Sequence, residues 1–205
     1  MFENLPDFFH TLLSSEKIIQ YGGLTLIIIV IFAETGLFIG FFLPGDYLLF
    51  TSGVLCGTNH LDISVFILLI SLTLASVAGN YVGYYTGKTL GKRLFTRPDS
   101  RFFKKERVEQ AKRFYDKKGA ISLVLGRFLP IIRTFSPIIA GAIDMDLKKF
   151  SYYNWTGGFL WIWSLVLAGY FLGRTYPEII NYLEYFIFGF IFITTIILIK
   201  NAMKK

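Results

Sequence analysis

The stretch Gly126-Arg127-Phe128-Leu129-Pro130-Ile131-Ile132-Arg133-Thr134-Phe135-Ser136-Pro137 decides the fold. It lies inside an apolar run over 120–143. That run is long enough for a membrane helix, since about 20 apolar residues rising about 1.5 Å each cross a hydrocarbon core about 30 Å thick. Two features oppose a simple crossing. Pro130 and Pro137 each remove a helix hydrogen bond and are expected to break the helix. Arg127 and Arg133 would be stranded in lipid. The segment therefore reads as a helical hairpin that enters the membrane and leaves on the same side.

The rest of the chain supports a membrane setting. Its 205 residues are 54% hydrophobic and 18% aromatic, with a mean hydropathy of +0.54. Charged residues make up 17%, against roughly 25% in soluble domains. This composition excludes a disordered chain and argues against a soluble globule. The single cysteine, Cys56, excludes an intrachain disulfide framework and a multi-cysteine metal site. With His10 and His60 the only histidines, no metal or other cofactor is expected. Further apolar segments run over 18–56, 63–85, 152–172 and 183–199. The first 17 residues carry Glu3, Asp7 and Glu16 against Lys17, and the apolar run after them is too long for a signal peptide.

Charge distribution sets the topology. Residues 88–118 hold twelve Lys/Arg and four Asp/Glu, a surplus larger than the net charge of +7. Lys200, Lys204 and Lys205 close the chain. Positive-inside bias places both regions in the cytoplasm. Within the basic stretch, Phe103, Val108, Ala111, Phe114 and Tyr115 share one helix face, with a start signal at Pro98-Asp99-Ser100 and a stop at Gly119. Residues 100–118 read as an amphipathic helix on the inner leaflet or as a solvated connector. No nucleic-acid-binding fold accompanies the charge. Spans at 151–173 and 183–199 cross twice and end inside, so 144–150 is also inside, and 120–143 enters and leaves on one side. The 18–56 run is too long for one crossing and carries the turn signal Pro44-Gly45. It divides into a span at 18–37 and a second hairpin at 38–58, entering from the opposite side. The expected fold is one all-α membrane domain over 1–205. It has an N-terminal segment (1–17), about four spans (18–37, 63–87, 151–173, 183–199), the hairpins 38–58 and 120–143, and the cytoplasmic helix 100–118.

The hairpins share a pattern, Gly40-Phe41-Phe42-Leu43-Pro44 against Gly126-Arg127-Phe128-Leu129-Pro130, each followed by a small pair, Ser52-Gly53 or Ala140-Gly141. Opposite entry sides make this the pattern of inverted-repeat transporters, whose sites form where broken helices meet near the midplane. Four ionisable residues fall at membrane depth: Glu34, Asp46, Arg127 and Arg133. Each costs at least about 2.5–3.5 kcal/mol at a helix centre, so they must pair or face water. A guanidinium stays charged and fits phosphate oxygens in a bidentate fork, so Arg127 and Arg133 are candidate substrate-binding residues. A carboxylate in low dielectric binds a proton more readily than one in water, so Glu34 or Asp46 is a candidate coupling or gating group. A permanent ion network joining the hairpins is the structural alternative.

Other signals are mainly architectural. Gly79, Gly83, Gly87 and Gly91 form a smooth ridge for close helix packing. Asn80 on the same helix serves a helix–helix hydrogen bond or lines a cavity. Asn154 caps a helix start or reaches a head group. Tyr152, Tyr153, Trp155, Trp161 and Trp163 suit interface anchoring.

These residues carry a resemblance. Phe32-Ala33-Glu34 leading to Phe42-Leu43-Pro44-Gly45-Asp46, then Gly79-Asn80-Tyr81-Val82-Gly83-Tyr84, the run from Gly126 to Pro137 with Ile138-Ile139-Ala140-Gly141, and Asn154-Trp155 with Gly158 together resemble the DedA family of bacterial membrane proteins, in the wider VTT (SNARE-associated) group. The likeness covers about 20–175. It departs mildly at the first hairpin, where many members have a second proline near Phe-Leu-Pro-Gly-Asp. The resemblance implies an inner-membrane protein with two facing re-entrant hairpins, tied to envelope integrity, membrane potential and resistance to cationic peptides. Some members are assigned as transporters returning undecaprenyl phosphate to the cytoplasmic leaflet, and eukaryotic relatives scramble phospholipids. It also implies functional roles for the positions of Glu34, Asp46, Arg127 and Arg133.

The sequence reading is thus a lipid-phosphate flippase, proton-coupled, with Arg127, Arg133, Asn80 and Asn154 on the head group and Glu34 and Asp46 titrating. Its partners are an anionic lipid, the membrane and, as the one protein partner left open, a second copy in a homodimer. An uncoupled scramblase, a proton-coupled small-molecule transporter and a non-transporting scaffold remain alternatives. A lipid phosphatase fits less well, because neither His10 nor His60 falls among the arginines and such chemistry wants histidine or metal.

Overall fold

The computed structural model describes residues 15–37, 45–90, 109, 113 and 115–182. All regular structure among them is helical: α1 (Ser15–Gly36), α2 (Gly45–Gly57), α3 (Val65–Leu90), α4 (Ser122–Leu125), α5 (Pro130–Ala142) and α6 (Leu147–Thr175). Short 3-10 turns at Gly119–Ile121 and Gly126–Phe128 flank α4, and another follows α6 at Pro177–Tyr182. Helices α3 and α6 are long and apolar enough to cross a membrane, and the apolar part of α1, Gly23–Gly36, is shorter. Most of the expected N-terminal segment, the turn at 38–44 with Pro44, most of helix 100–118 and the span 183–199 lie outside the described residues.

Two expected features differ. The span 18–37 is not one straight helix: Gly23, at φ 53° and ψ −152°, breaks its geometry, a conformation open to glycine because it lacks a Cβ. Pro137 does not interrupt its helix, and α5 runs through it to Ala142. The break in the 120–143 segment is at Leu129, extended at φ −121° and ψ 107°, directly before Pro130. A residue preceding proline is pushed out of the helical region, whereas proline at the first helical position loses a hydrogen bond that would be missing anyway. The two prolines thus act differently: Pro130 sets a boundary, and Pro137 is absorbed by packing.

The described residues fall into two compact units. The first comprises 15–24, 46–65 and 165–182. Here α2 and the C-terminal part of α6 interlock through two Gly-x3-Gly pairs. A Cβ on Gly53 would lie 2.2 Å from the Val166 carbonyl oxygen, and one on Gly57 2.3 Å from that of Tyr170. Reciprocally, Cβ atoms on Gly169 and Gly173 would lie 2.1 Å and 2.6 Å from the carbonyl oxygens of Phe50 and Val54. Backbones at this separation gain contact that side chains would prevent, the form of helix association favoured in lipid.

The second unit comprises 25–37, Gly45, 66–90 and 115–164. The α3 glycine ridge is its spine. Gly79 faces Thr35 and Gly36 of α1, Gly83 faces the Pro137 ring, and Gly87 faces the Ile138 carbonyl, which a Cβ would approach to 1.9 Å. Gly141 of α5 meets the Tyr84 carbonyl equally closely. Gly91 lies outside the described residues. Tyr84, Ala120, Leu123, Ala140, Met145 and Phe150 form a buried core beside this contact, and the Tyr84 hydroxyl donates to the Met145 carbonyl at 2.6 Å. The chain turns into α6 through Asp144 at φ 53°, and Asp146 caps the new helix by accepting from the Lys149 amide at 3.0 Å.

Filling either glycine contact forces helices apart, at roughly 1–3 kcal/mol for overpacking. Gly57→Leu and Gly87→Leu are each expected to lower the melting temperature of the purified protein in detergent, while Val82→Leu, at an exposed α3 position, leaves it unchanged.

Candidate functional site

The break at Leu129 places Arg127 in the 3-10 turn before it and Arg133 in the first turn of α5 after it. Both side chains turn into the second unit, with residue exposures of 1% and 5%. An ionised group carried so deep costs several kcal/mol unless its partners replace water. The two arginines meet this demand differently.

Arg127 is held by neutral dipoles. Its Nη1 donates to the Ser76 hydroxyl, and its Nη2 donates to the Asn154 side-chain oxygen at 2.6 Å and to the Asn154 carbonyl at 3.1 Å. The guanidinium lies over Gly157 and Gly158, where a Cβ on Gly157 would come within 3.0 Å of Nε. Asn154 is itself fixed: its Nδ2 donates to the Val77 carbonyl at 3.1 Å, and its Oδ1 accepts from Asn80 Nδ2 at 2.9 Å. Among the described residues no carboxylate pairs with Arg127, and its Nε is buried without a hydrogen-bond partner.

Arg133 is held by charge. Its Nη2 donates to Glu34 Oε1 on α1, in an ion pair with side-chain exposures of 4% and 0%. Gly45 lies against the same carboxylate, so any Cβ there would collide with it. The guanidinium carbon of Arg133 also sits 4.7 Å from the centre of the Trp161 ring, and that of Arg127 sits 6.0 Å from it. Trp161 is wholly buried. Contacts of this length fall within cation–π range.

Five of the six residues singled out for binding or coupling therefore come together in the second unit: Glu34, Arg127, Arg133, Asn80 and Asn154. Asp46 stands in the first turn of α2, half-buried, in the first unit. Of the two readings of Asn80, the structure shows the helix–helix hydrogen bond, made to Asn154. Asn154 lies well inside α6 rather than capping its start. Among the aromatic residues suited to interface anchoring, Tyr152 and Trp155 are exposed, but Trp161 is not an anchor: it is wholly buried, with both arginines near its ring. Trp161, Ser76 and the space at Gly157 and Gly158 escaped the sequence reading as site features. Helical spacing carried a signal for them, since Asn154, Gly157, Gly158 and Trp161 recur at one face, and Ser76 precedes Asn80 by one turn. Among the described residues no three His, Cys, Asp or Glu side chains gather as a metal-ligand group.

A VTT domain model matches residues 43–171. The chain is 35% identical to Protein DedA of Escherichia coli K12 over 182 residues, 88% of this chain and 83% of that protein. It is 39% identical to an uncharacterized membrane protein of Mycobacterium leprae, covering 82% and 73% of the two chains. It is 34% identical to the inner membrane protein YqjA of E. coli K12, covering 77% and 70%. No solved structure matches the chain. Matching these relatives over most of its length, this helical chain is a membrane protein that belongs to the DedA family, built on the VTT domain.

Proposed function

We propose that the protein moves an anionic lipid phosphate, undecaprenyl phosphate in its most concrete form, from the outer to the cytoplasmic leaflet. The observation that carries this reading is the pairing of two buried guanidinium groups across one helix break, with Arg127 held, among the described residues, by neutral groups. A phosphate monoester supplies the missing negative charge and matches the bidentate geometry of guanidinium donors. The prenyl tail remains in lipid, where it costs nothing. Asn80 and Asn154 keep Arg127 aimed and offer further donors to the head group. In this reading both hairpins are re-entrant, the 88–118 stretch and the C-terminus face the cytoplasm, and the activity is transport rather than catalysis.

Proton coupling follows from competition for Arg133. A phosphate that engages Arg133 takes the donor Glu34 now holds. A buried carboxylate deprived of its counter-charge is costly, and a proton neutralises it. Anion binding then brings a proton with it, and loss of that proton lets Glu34 reclaim Arg133 and expel the head group. Asp46, at the start of α2, is assigned the second gating role. Because a proton is taken up with the anion, binding is expected to tighten as pH falls, at most tenfold per unit for one linked proton.

Arg127→Ala and Arg133→Ala are each expected to weaken polyprenyl-phosphate binding by the purified protein by about 10- to 100-fold, from the worth of a charge-assisted hydrogen bond. Equal binding without either arginine would overturn the head-group assignment. Glu34→Gln is expected to preserve binding and flatten the pH profile of leaflet-resolved transport in vesicles. An unchanged profile rules out coupling through Glu34, and release of inorganic phosphate from a lipid substrate would establish an enzyme instead.

A further inference from the structure

Trp161 is the largest wholly buried side chain in the described structure, and it stands within cation–π reach of both arginines. Apolar packing alone does not account for that placement. Two guanidinium groups buried together repel each other, and the Glu34 ion pair offsets only the Arg133 charge. A second carboxylate beside Arg127 would settle the electrostatics but would occupy the donors an anion needs. An aromatic face is different. Its quadrupole presents negative potential to a cation, yet it accepts none of the in-plane N–H groups. Tryptophan offers the strongest such face of the aromatic residues. The ring therefore steadies both cations without itself occupying any of their N–H donors.

Its position on α6 fits the same role. Asn154, Gly157, Gly158 and Trp161 share one helix face. Asn154 fixes Arg127 by hydrogen bonding, the two glycines leave room for its guanidinium, and Trp161 provides the surface toward which both arginines converge. One stretch of α6 thus organises the charges that the chain places on either side of the Leu129 break.

We infer that Trp161 is the positioning residue of this site, its indole face holding Arg127 and Arg133 together as a paired receptor for one phosphate head group. The inference rests on the lipid-phosphate reading of the arginines, and its test separates the two. Trp155 and Trp163, the only other tryptophans, stay unchanged, and mono- to tetrafluorinated tryptophan is installed at position 161 alone. Fluorination nearly preserves ring size while progressively weakening the quadrupole. Binding of polyprenyl phosphate in nanodiscs is expected to weaken step by step along the series, reaching about tenfold, the scale of a desolvated cation–π contact. Trp161→Phe is expected to keep part of the affinity and Trp161→Leu to lose more. A flat fluorination series, with Arg127→Ala and Arg133→Ala still deficient, overturns the positioning role and leaves the head-group reading standing. Arginine variants that bind like the unmodified protein overturn both.

Discussion

Burying a guanidinium in a low-dielectric interior costs several kcal/mol, and its surroundings must replace the lost water in full. The second unit is organised by that demand. The broken segment at 120–142 delivers two such groups, and helices α1, α3 and α6 each contribute part of the compensation: Glu34 from α1, Ser76 and Asn80 from α3, and Asn154 and Trp161 from α6. Removing one member of this set leaves another with an unmet charge or an unmet donor. The cluster is therefore first a structural constraint on the whole unit.

Such a cluster needs helices close enough for short polar side chains to meet, and the glycine contacts provide this. Gly79, Gly83 and Gly87 bring α3 against α1 and α5, and Gly157 and Gly158 leave a space on α6 that the Arg127 side chain fills. In the first unit, Gly53 and Gly57 meet Gly169 and Gly173 by the same principle. In lipid, where burying apolar surface gives little net drive to helix association, close backbone contact and interhelical hydrogen bonds take over that role. The small residues and the polar residues are thus two aspects of one packing solution.

The asymmetry between the arginines gives the site its chemical character. Arg133 already has an anion, the Glu34 carboxylate, and among the described residues Arg127 has neutral acceptors. The transport cycle proposed above works by exchange: in it a lipid phosphate replaces an internal carboxylate, and a proton balances the carboxylate displaced. Neither step requires a nucleophile or a covalent intermediate. Gly45 adds a steric control, since its bare backbone lies where any larger residue would push Glu34 from Arg133.

Much of this was legible in the residues alone. Hydropathy located the long helices, because crossing a bilayer sets a length that composition reveals. The cost of burying charge picked out Glu34, Arg127 and Arg133 before any contact was known, and the spacing of Gly79, Gly83 and Gly87 announced a packing ridge. Other features depended on the partners that each residue meets. Pro130 and Pro137 look alike in sequence, yet one bounds a helix and the other is accommodated within it opposite Gly83. Trp161 reads as an interface anchor until the two arginines converge on its ring. The pairing of Arg133 with Glu34, ninety-nine residues apart in the chain, and of Arg127 with Asn154 rather than with an acid, was likewise decided only by tertiary structure. Local sequence sets the energetic cost of a residue's burial, whereas the choice of partner that offsets it belongs to contacts between distant segments.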